Sequence, residues 1–363
     1  MQISDLQIHI IQLGRDYHLP LHGDFRAEAG VVRILTDAGV EGNADYCTWA
    51  VPPRVLGEQI LSLKPQLIGE DPLDIERLWT ATFQSTRTVL SIYGPGCVNV
   101  ALWDIMGKVL GMPVYRLLGG FRDRIRAYAS TQCCPDAKGF VRLVKTLVER
   151  GFTAIKLHPW GDPDRDIPLC RAVRKAVGDK IDLMIDPVGL YDRRGALRVG
   201  RVLEELNFYW YEEPLPESDE NGYIELCRAL DVPVLGVDSL RLTLGNYADY
   251  IARNALDIVQ ADAARQGISW TKKLASLTEA FGRRFQAHAY GTSLHQAANL
   301  HLMGGINNGD FFEMPAPEGI LDIPTHQSIT LDDDGWVTLP QKPGLGLPLD
   351  WKRLKKMTTA VLT

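Results

Sequence analysis

No two cysteines in the sequence stand at CxxC spacing. The six are Cys47, Cys97, Cys133, Cys134, Cys170 and Cys227, two adjacent and the others scattered. This excludes a metal knuckle, and in a chain of 363 residues it is no secreted disulfide framework. Reduced, mostly buried thiols are expected. Basic runs are also missing: Lys and Arg total 39 against 45 acidic residues, a formal net charge of -6. The longest basic run, WKRLKK, reads as the solvated face of a last helix, so no nucleic-acid partner is expected. No segment offers the roughly 18 uninterrupted apolar residues of a membrane helix. The opening MQISDLQIHIIQL lacks the basic region and continuous apolar stretch of an export signal. A cytoplasmic protein with no membrane partner is expected.

What remains is globular: 45% hydrophobic and 23% charged residues. The length suits one core of about 250 residues plus a smaller domain. Residues 1–13 and 29–37 read as strands, and from about 55 to 117 apolar residues recur three and four apart, as in helices. An α+β unit over residues 1–120 is expected, closed by the glycines of LLGG.

Beyond it the pattern becomes short apolar strands alternating with amphipathic helices. The strands RAYAS, AIKLH, DLMID, FYWYE, PVLGVD, DIVQAD, FQAH and FFE follow one another, and from the second onward their polar ends fall at 158, 186, 212, 238, 262, 288 and 313. The intervals are 28, 26, 26, 24, 26 and 25 residues. That rhythm predicts an α/β fold, a (β/α)8-type barrel over 121–335, with the first unit as an N-terminal α+β capping domain. No glycine-rich phosphate loop follows the first strand, which argues against an open doubly wound sheet. The Pro- and Gly-rich segment 336–363 is expected to pack back on the capping domain.

Barrel chemistry sits at the C-terminal ends of the strands. Asp186, Glu212 and Asp238 end three consecutive strands, and carboxylates that close repel one another unless a cation lies between them. Oxygen-only donors favour Mg²⁺, with Mn²⁺ as a substitute. Glu213 is expected on the opposite strand face as a structural partner. Lys156 and His158 share one face of the preceding strand. Burial beside a cation is expected to lower the lysine pKa and make it a base. Asp262 and His288 can form a dyad in which the carboxylate fixes the imidazole tautomer, and Glu313 adds a hydrogen-bonding acid. His18, His22, Phe25, Tyr46 and Trp49 come from loops that could fold over the mouth, with ordinary interdomain packing as the equal alternative for the aromatics.

These residues, with ALWDIMGKVLGMPVYRLLGG at the end of the first unit, make the chain resemble the mandelate racemase subgroup of the enolase superfamily. The resemblance implies that Asp186, Glu212 and Asp238 hold Mg²⁺. It places Lys156 at the first lysine of a KxK motif, as the base on one side of the substrate, and His158 where the second lysine usually stands. Asp262 and His288 would face the other side, and Glu313 would help hold an enediolate. Asp238 replaces the commoner Glu, Pro187 and Val188 follow Asp186, and Arg265, Gln266 and Gly267 precede Ile268 in place of a GGI-like turn.

The activity so implied is abstraction of the proton α to the carboxylate of a sugar acid, an aldonate or aldarate, with β-elimination of water to a 2-keto-3-deoxy acid. Racemisation or epimerisation of a hydroxy acid, and cycloisomerisation of a sugar lactone or anhydro sugar acid, are the alternatives. The partner is a small-molecule carboxylate, and the assembly a homodimer or octamer. Loops near 15–30 and 43–55 would select the substrate.

Overall fold

A computed structural model describes residues 1–19, 23–48, 51–87, 91–238, 243–319 and 321–363, with side chains outside 15–26. The first unit is built on a four-stranded antiparallel sheet. Ile3–Leu19, Gly23–Thr36 and Glu41–Cys47 form a meander, and Thr358–Leu362 returns from the far end of the chain to pair with the first strand, Ile8 facing Leu362. The helices Pro53–Leu61, Ile75–Thr86 and Tyr93–Leu110 complete the unit. The last of these lies so close to the third strand that a side chain at Gly42 would place its first carbon 2.1 Å from the Ala101 carbonyl oxygen. Tyr46, weighed for the mouth or for packing between the domains, is fully buried in this core with its hydroxyl on the Pro53 carbonyl. The side chains of His18, His22, Phe25 and Trp49 lie outside the described residues.

The second unit contains eight parallel strands: Arg124–Thr131, Ala154–Leu157, Asp182–Ile185, Trp210–Glu212, Val234–Gly236, Ile258–Ala261, Arg284–Ala287 and Phe311–Ala316. The eighth pairs with the first, Glu313 facing Tyr128. Among the described residues no ladder joins the seventh to the eighth. The Phe285 amide bonds the Asn308 carbonyl at 2.8 Å, and the Gln286 side-chain amide bonds the Phe311 carbonyl at 2.9 Å. The loops leading to the outer helices end in Asp136, Asp162, Asp192 and Asp219, each of which caps its helix by accepting a backbone N–H. Such caps contribute about 1 kcal/mol each.

Inside the barrel, Tyr128, Ala154, Met184, Trp210, Leu235, Ile258 and Phe311 form an apolar plug. Tyr128 and Trp210 meet edge to face at 5.3 Å, and Trp210 and Phe311 at 5.8 Å. The aromatics that precede Glu212 thus build the floor beneath the mouth. The tail joins both units: Trp336–Thr338 pairs antiparallel with the first barrel strand, and Trp351 Nε1 then bonds Glu41 of the capping sheet at 2.9 Å. The WKRLKK run forms most of the helix Trp351–Met357, with Lys355 and Lys356 exposed. No helix among the described residues is long and apolar enough to cross a membrane.

Candidate active site

Alternation along the strands places a polar layer directly above the plug. Two positions beyond Tyr128, Ala154, Met184, Trp210, Ile258 and Phe311 come Ser130, Lys156, Asp186, Glu212, Gln260 and Glu313, all buried. Lys156 lies at their centre. Its Nζ is 2.6 Å from Glu212 Oε1, 2.9 Å from Glu313 Oε1 and 3.4 Å from Asp186 Oδ2. Burial alone would lower its pKa, but the charges of Glu212, Glu313, Tyr128 and Asp186 outweigh it and hold the amine well above its ordinary value. Three carboxylates surround the amine and set its charge in this arrangement.

The carboxylates divide by partner. Burial pushes Glu212 up to about 7, more than the opposing charge of Lys156 can offset, and its oxygens also accept from Gln260 Nε2 at 2.9 Å and Trp210 Nε1 at 3.0 Å. Glu313 feels the same burial, yet Lys156, His288 and the amides of Ala289 and Tyr290 bring it down to about 2. Asp186 is likewise held below its usual range against burial, by Lys156 and by His158, whose Nε2 is 3.1 Å away. His158 Nδ1 faces the Thr131 carbonyl at 2.7 Å. Both ring nitrogens thus meet oxygen acceptors, an arrangement that suits a proton donor.

Glu213 has a left-handed backbone, φ 36°, and its stem lies on the helix side of the strands, with Cγ 3.4 Å from where a side chain at Gly236 would begin, beside Tyr223. Its carboxyl is buried, its pKa is driven well above the ordinary value by that burial and by Asp238 and Asp186, and Oε1 has no hydrogen-bond partner. Left-handed valines stand beside the neighbouring strand-end carboxylates, Val188 at φ 55° two positions after Asp186 and Val237 at φ 70° just before Asp238. An orphaned, buried carboxylate oxygen among like charges is what a cation would satisfy, and the donors are the hard oxygens Mg²⁺ prefers. The donor chemistry suits that ion, although the ligand atoms of Asp186, Glu212 and Asp238 do not all lie within 4.8 Å of one another.

Asp262 and His288 meet as the dyad requires, with Nδ1 3.0 Å from Oδ2. Burial would raise the Asp262 pKa, but His295, Arg265 and His288 hold it well below its usual range. Asn299 Nδ2 donates to Oδ1 at 2.9 Å. His288 is shifted upward, with burial and Arg265 outweighed by Asp238, Glu313 and Asp262. Arg265 spans two carboxylates, with Nη1 3.0 Å from Asp238 Oδ2 and Nε 3.0 Å from Asp262 Oδ2. Among the described residues, Asp262, His288 and His295 are the one set of three such side chains whose ligand atoms all lie within 4.8 Å, a spacing open to a metal ion. Two imidazoles and one carboxylate suit a transition metal, whereas the carboxylates of the neighbouring strand ends suit Mg²⁺.

Sequence reasoning passed over Gln260, Arg265, His295 and Asn299. Gln260 shares a strand face with Asp262, so period two could have found it. His295 and Asn299 are four apart on the helix Ser293–Gly304, which is buried along its whole length and so carries no amphipathic signal.

A barrel whose strand ends gather acidic residues, a buried lysine and an Asp–His dyad, closed by an α+β cap, defines the architecture of the enolase superfamily. The chain belongs to its mandelate racemase/muconate lactonizing enzyme family: residues 10–119 match the mandelate racemase / muconate lactonizing enzyme N-terminal domain, and 139–353 the enolase C-terminal domain-like family. It is 31% identical to arabinonate dehydratase of Saccharolobus solfataricus, over 88% of this chain and 87% of that protein. It is 28% identical to D-galactarolactone cycloisomerase of Agrobacterium fabrum, over 96% and 97%. The structure of D-glucarate dehydratase from Agrobacterium tumefaciens complexed with magnesium matches with a TM-score of 0.87 and 32% identity, covering 99% of this chain and all of that one.

Proposed function

We propose that this protein is a Mg²⁺-dependent acid-sugar dehydratase, a carbon–oxygen lyase that removes water from an aldonate or aldarate to give a 2-keto-3-deoxy acid. The observation that carries the reading is the Asp262–His288 pair standing beside the acidic strand ends. Asp186, Glu212 and Asp238 would hold the ion, with Glu213 beside them. When bound, Mg²⁺ supplies positive charge that favours ionisation of the carbon next to the substrate carboxylate.

The dyad's hydrogen bond places a proton on His288 Nδ1 and leaves Nε2 to take the α-proton. The electron pair expels the β-hydroxyl, which leaves as water with a proton from His158, and the resulting enol tautomerises to the keto acid. Lys156 and Glu313 form an ion pair on the floor of the site, where the ammonium faces the negative charge that develops on the substrate. Magnesium in the related D-glucarate dehydratase and the name of the arabinonate dehydratase support this reading. The cycloisomerase similar over nearly full length favours, as a second reading, intramolecular opening of a sugar lactone at the same site. The exposed apolar residues Val109, Leu110 and Met112 support assembly of the chain with itself.

The test is incubation with Mg²⁺ and a panel of aldonates, aldarates and their lactones in D₂O, followed by proton NMR. A keto acid from one substrate supports dehydration. A stereoisomer with deuterium at C2 would point to an epimerase, and consumption of a lactone alone to the cycloisomerase. Absence of exchange or product across the panel, with Mg²⁺ shown to bind, would overturn the reading.

A further inference from the structure

The dyad is held from a direction that the barrel strands do not supply. Asp45, in the capping strand Glu41–Cys47, is 2% exposed. Its Oδ1 accepts the His295 amide at 2.8 Å and its Oδ2 the Leu294 amide at 3.0 Å. These groups open the barrel helix Ser293–Gly304, so one domain supplies the N-terminal cap for a helix of the other. A carboxylate there also complements the positive end of the helix dipole.

The first turn of that helix carries His295, whose Nε2 is 2.8 Å from Asp262 Oδ2, although the approach does not meet hydrogen-bond geometry. One turn later Asn299 grips both ends of the Asp262 segment, donating to Oδ1 at 2.9 Å and accepting the Ala263 amide at 2.7 Å. The imidazole of His295 also has a specific seat, since a side chain at Gly291 would place its first carbon 2.5 Å from the ring. A continuous chain of contacts therefore runs from Asp45 through His295 and Asn299 to Asp262 and on to His288.

We propose that Asp45 is a positioning residue that sets the orientation of the Asp262–His288 dyad, so that docking of the capping domain and assembly of the acid–base pair are one event. The inference rests on the role given to His288 above, but its test needs no turnover. The full chain, loaded with Mg²⁺ and labelled in its histidine rings, is examined by NMR as wild type and as Asp45→Asn, with signals assigned through His288→Gln and His295→Gln. The ring signals of both histidines are expected to move in Asp45→Asn, while that of exposed His326 stays in place. A lower melting temperature with both ring signals unmoved would show a purely structural cap and overturn the proposal. If Asp45→Asn does not fold, Asp45→Glu keeps the charge and displaces the carboxylate from the two amides, and the same two signals decide. A substrate panel that stays silent bears on the proposed reaction alone; unmoved rings in an active enzyme bear on Asp45 alone.

Discussion

Lys156 Nζ and Glu313 Oε1 stand 2.9 Å apart in the barrel although 157 positions separate them in the chain. With Glu212 at 2.6 Å on another side, the ammonium balances carboxylates that are out of water. Lys156→Met should therefore cost about 3–5 kcal/mol of stability when divalent cations are chelated, because unpaired buried charges remain. Added Mg²⁺ should recover much of that loss by mass action on the folded state. Thermal melts with chelator and with Mg²⁺ check both parts, and an equal loss in the two conditions would contradict the charge-balance role.

His288→Asn should keep the fold and reduce turnover about 10²–10⁴-fold, the usual worth of a positioned acid–base group. Deuterium exchange at the α-carbon should fall by a similar factor, since the same nitrogen takes that proton. Turnover of the best substrate in the panel and its exchange in D₂O give the two numbers.

His301 offers a pH test away from the site. Its Nδ1 accepts the Tyr115 amide at 3.2 Å and its Nε2 meets the Leu345 carbonyl at 3.1 Å, so the fold holds it neutral, and burial lowers its pKa to about 4. A base depressed in the folded state makes a contribution that is complete above the unfolded value near 6.5 and fades as pH falls to about 4. The stability advantage of wild type over His301→Gln should thus shrink by about 3 kcal/mol between pH 7 and pH 4. Asp45 runs oppositely: burial raises its pKa to about 6, so its contribution declines as pH rises through the window from about 4 to 6. Urea denaturation of both proteins at the two pH values makes the comparison, and the difference between them isolates His301.

Val188 holds φ 55° while 39% exposed, a left-handed conformation that costs a β-branched residue about 1–3 kcal/mol. Val188→Gly should raise stability by about 1 kcal/mol once the chain entropy of glycine is set against the strain released. The shift of the urea midpoint at unchanged slope is the measurement.

Much of this site was legible because barrel strands repeat at a near-constant interval and side chains alternate with period two. Asp186, Glu212, Asp262 and His288 could be placed from those two regularities alone. Less legible is the balance of charge on Lys156, which depends on how closely carboxylates 30, 56 and 157 positions away approach it. Asp45 lies still further from view, since its partners begin 249 positions later.

The strand Thr358–Leu362 is synthesised after the barrel, yet it completes a sheet whose other three strands precede that barrel. A chain emerging from the ribosome must make the whole barrel before its capping sheet can take its fourth strand. The domain begun before the barrel is thus finished only after it.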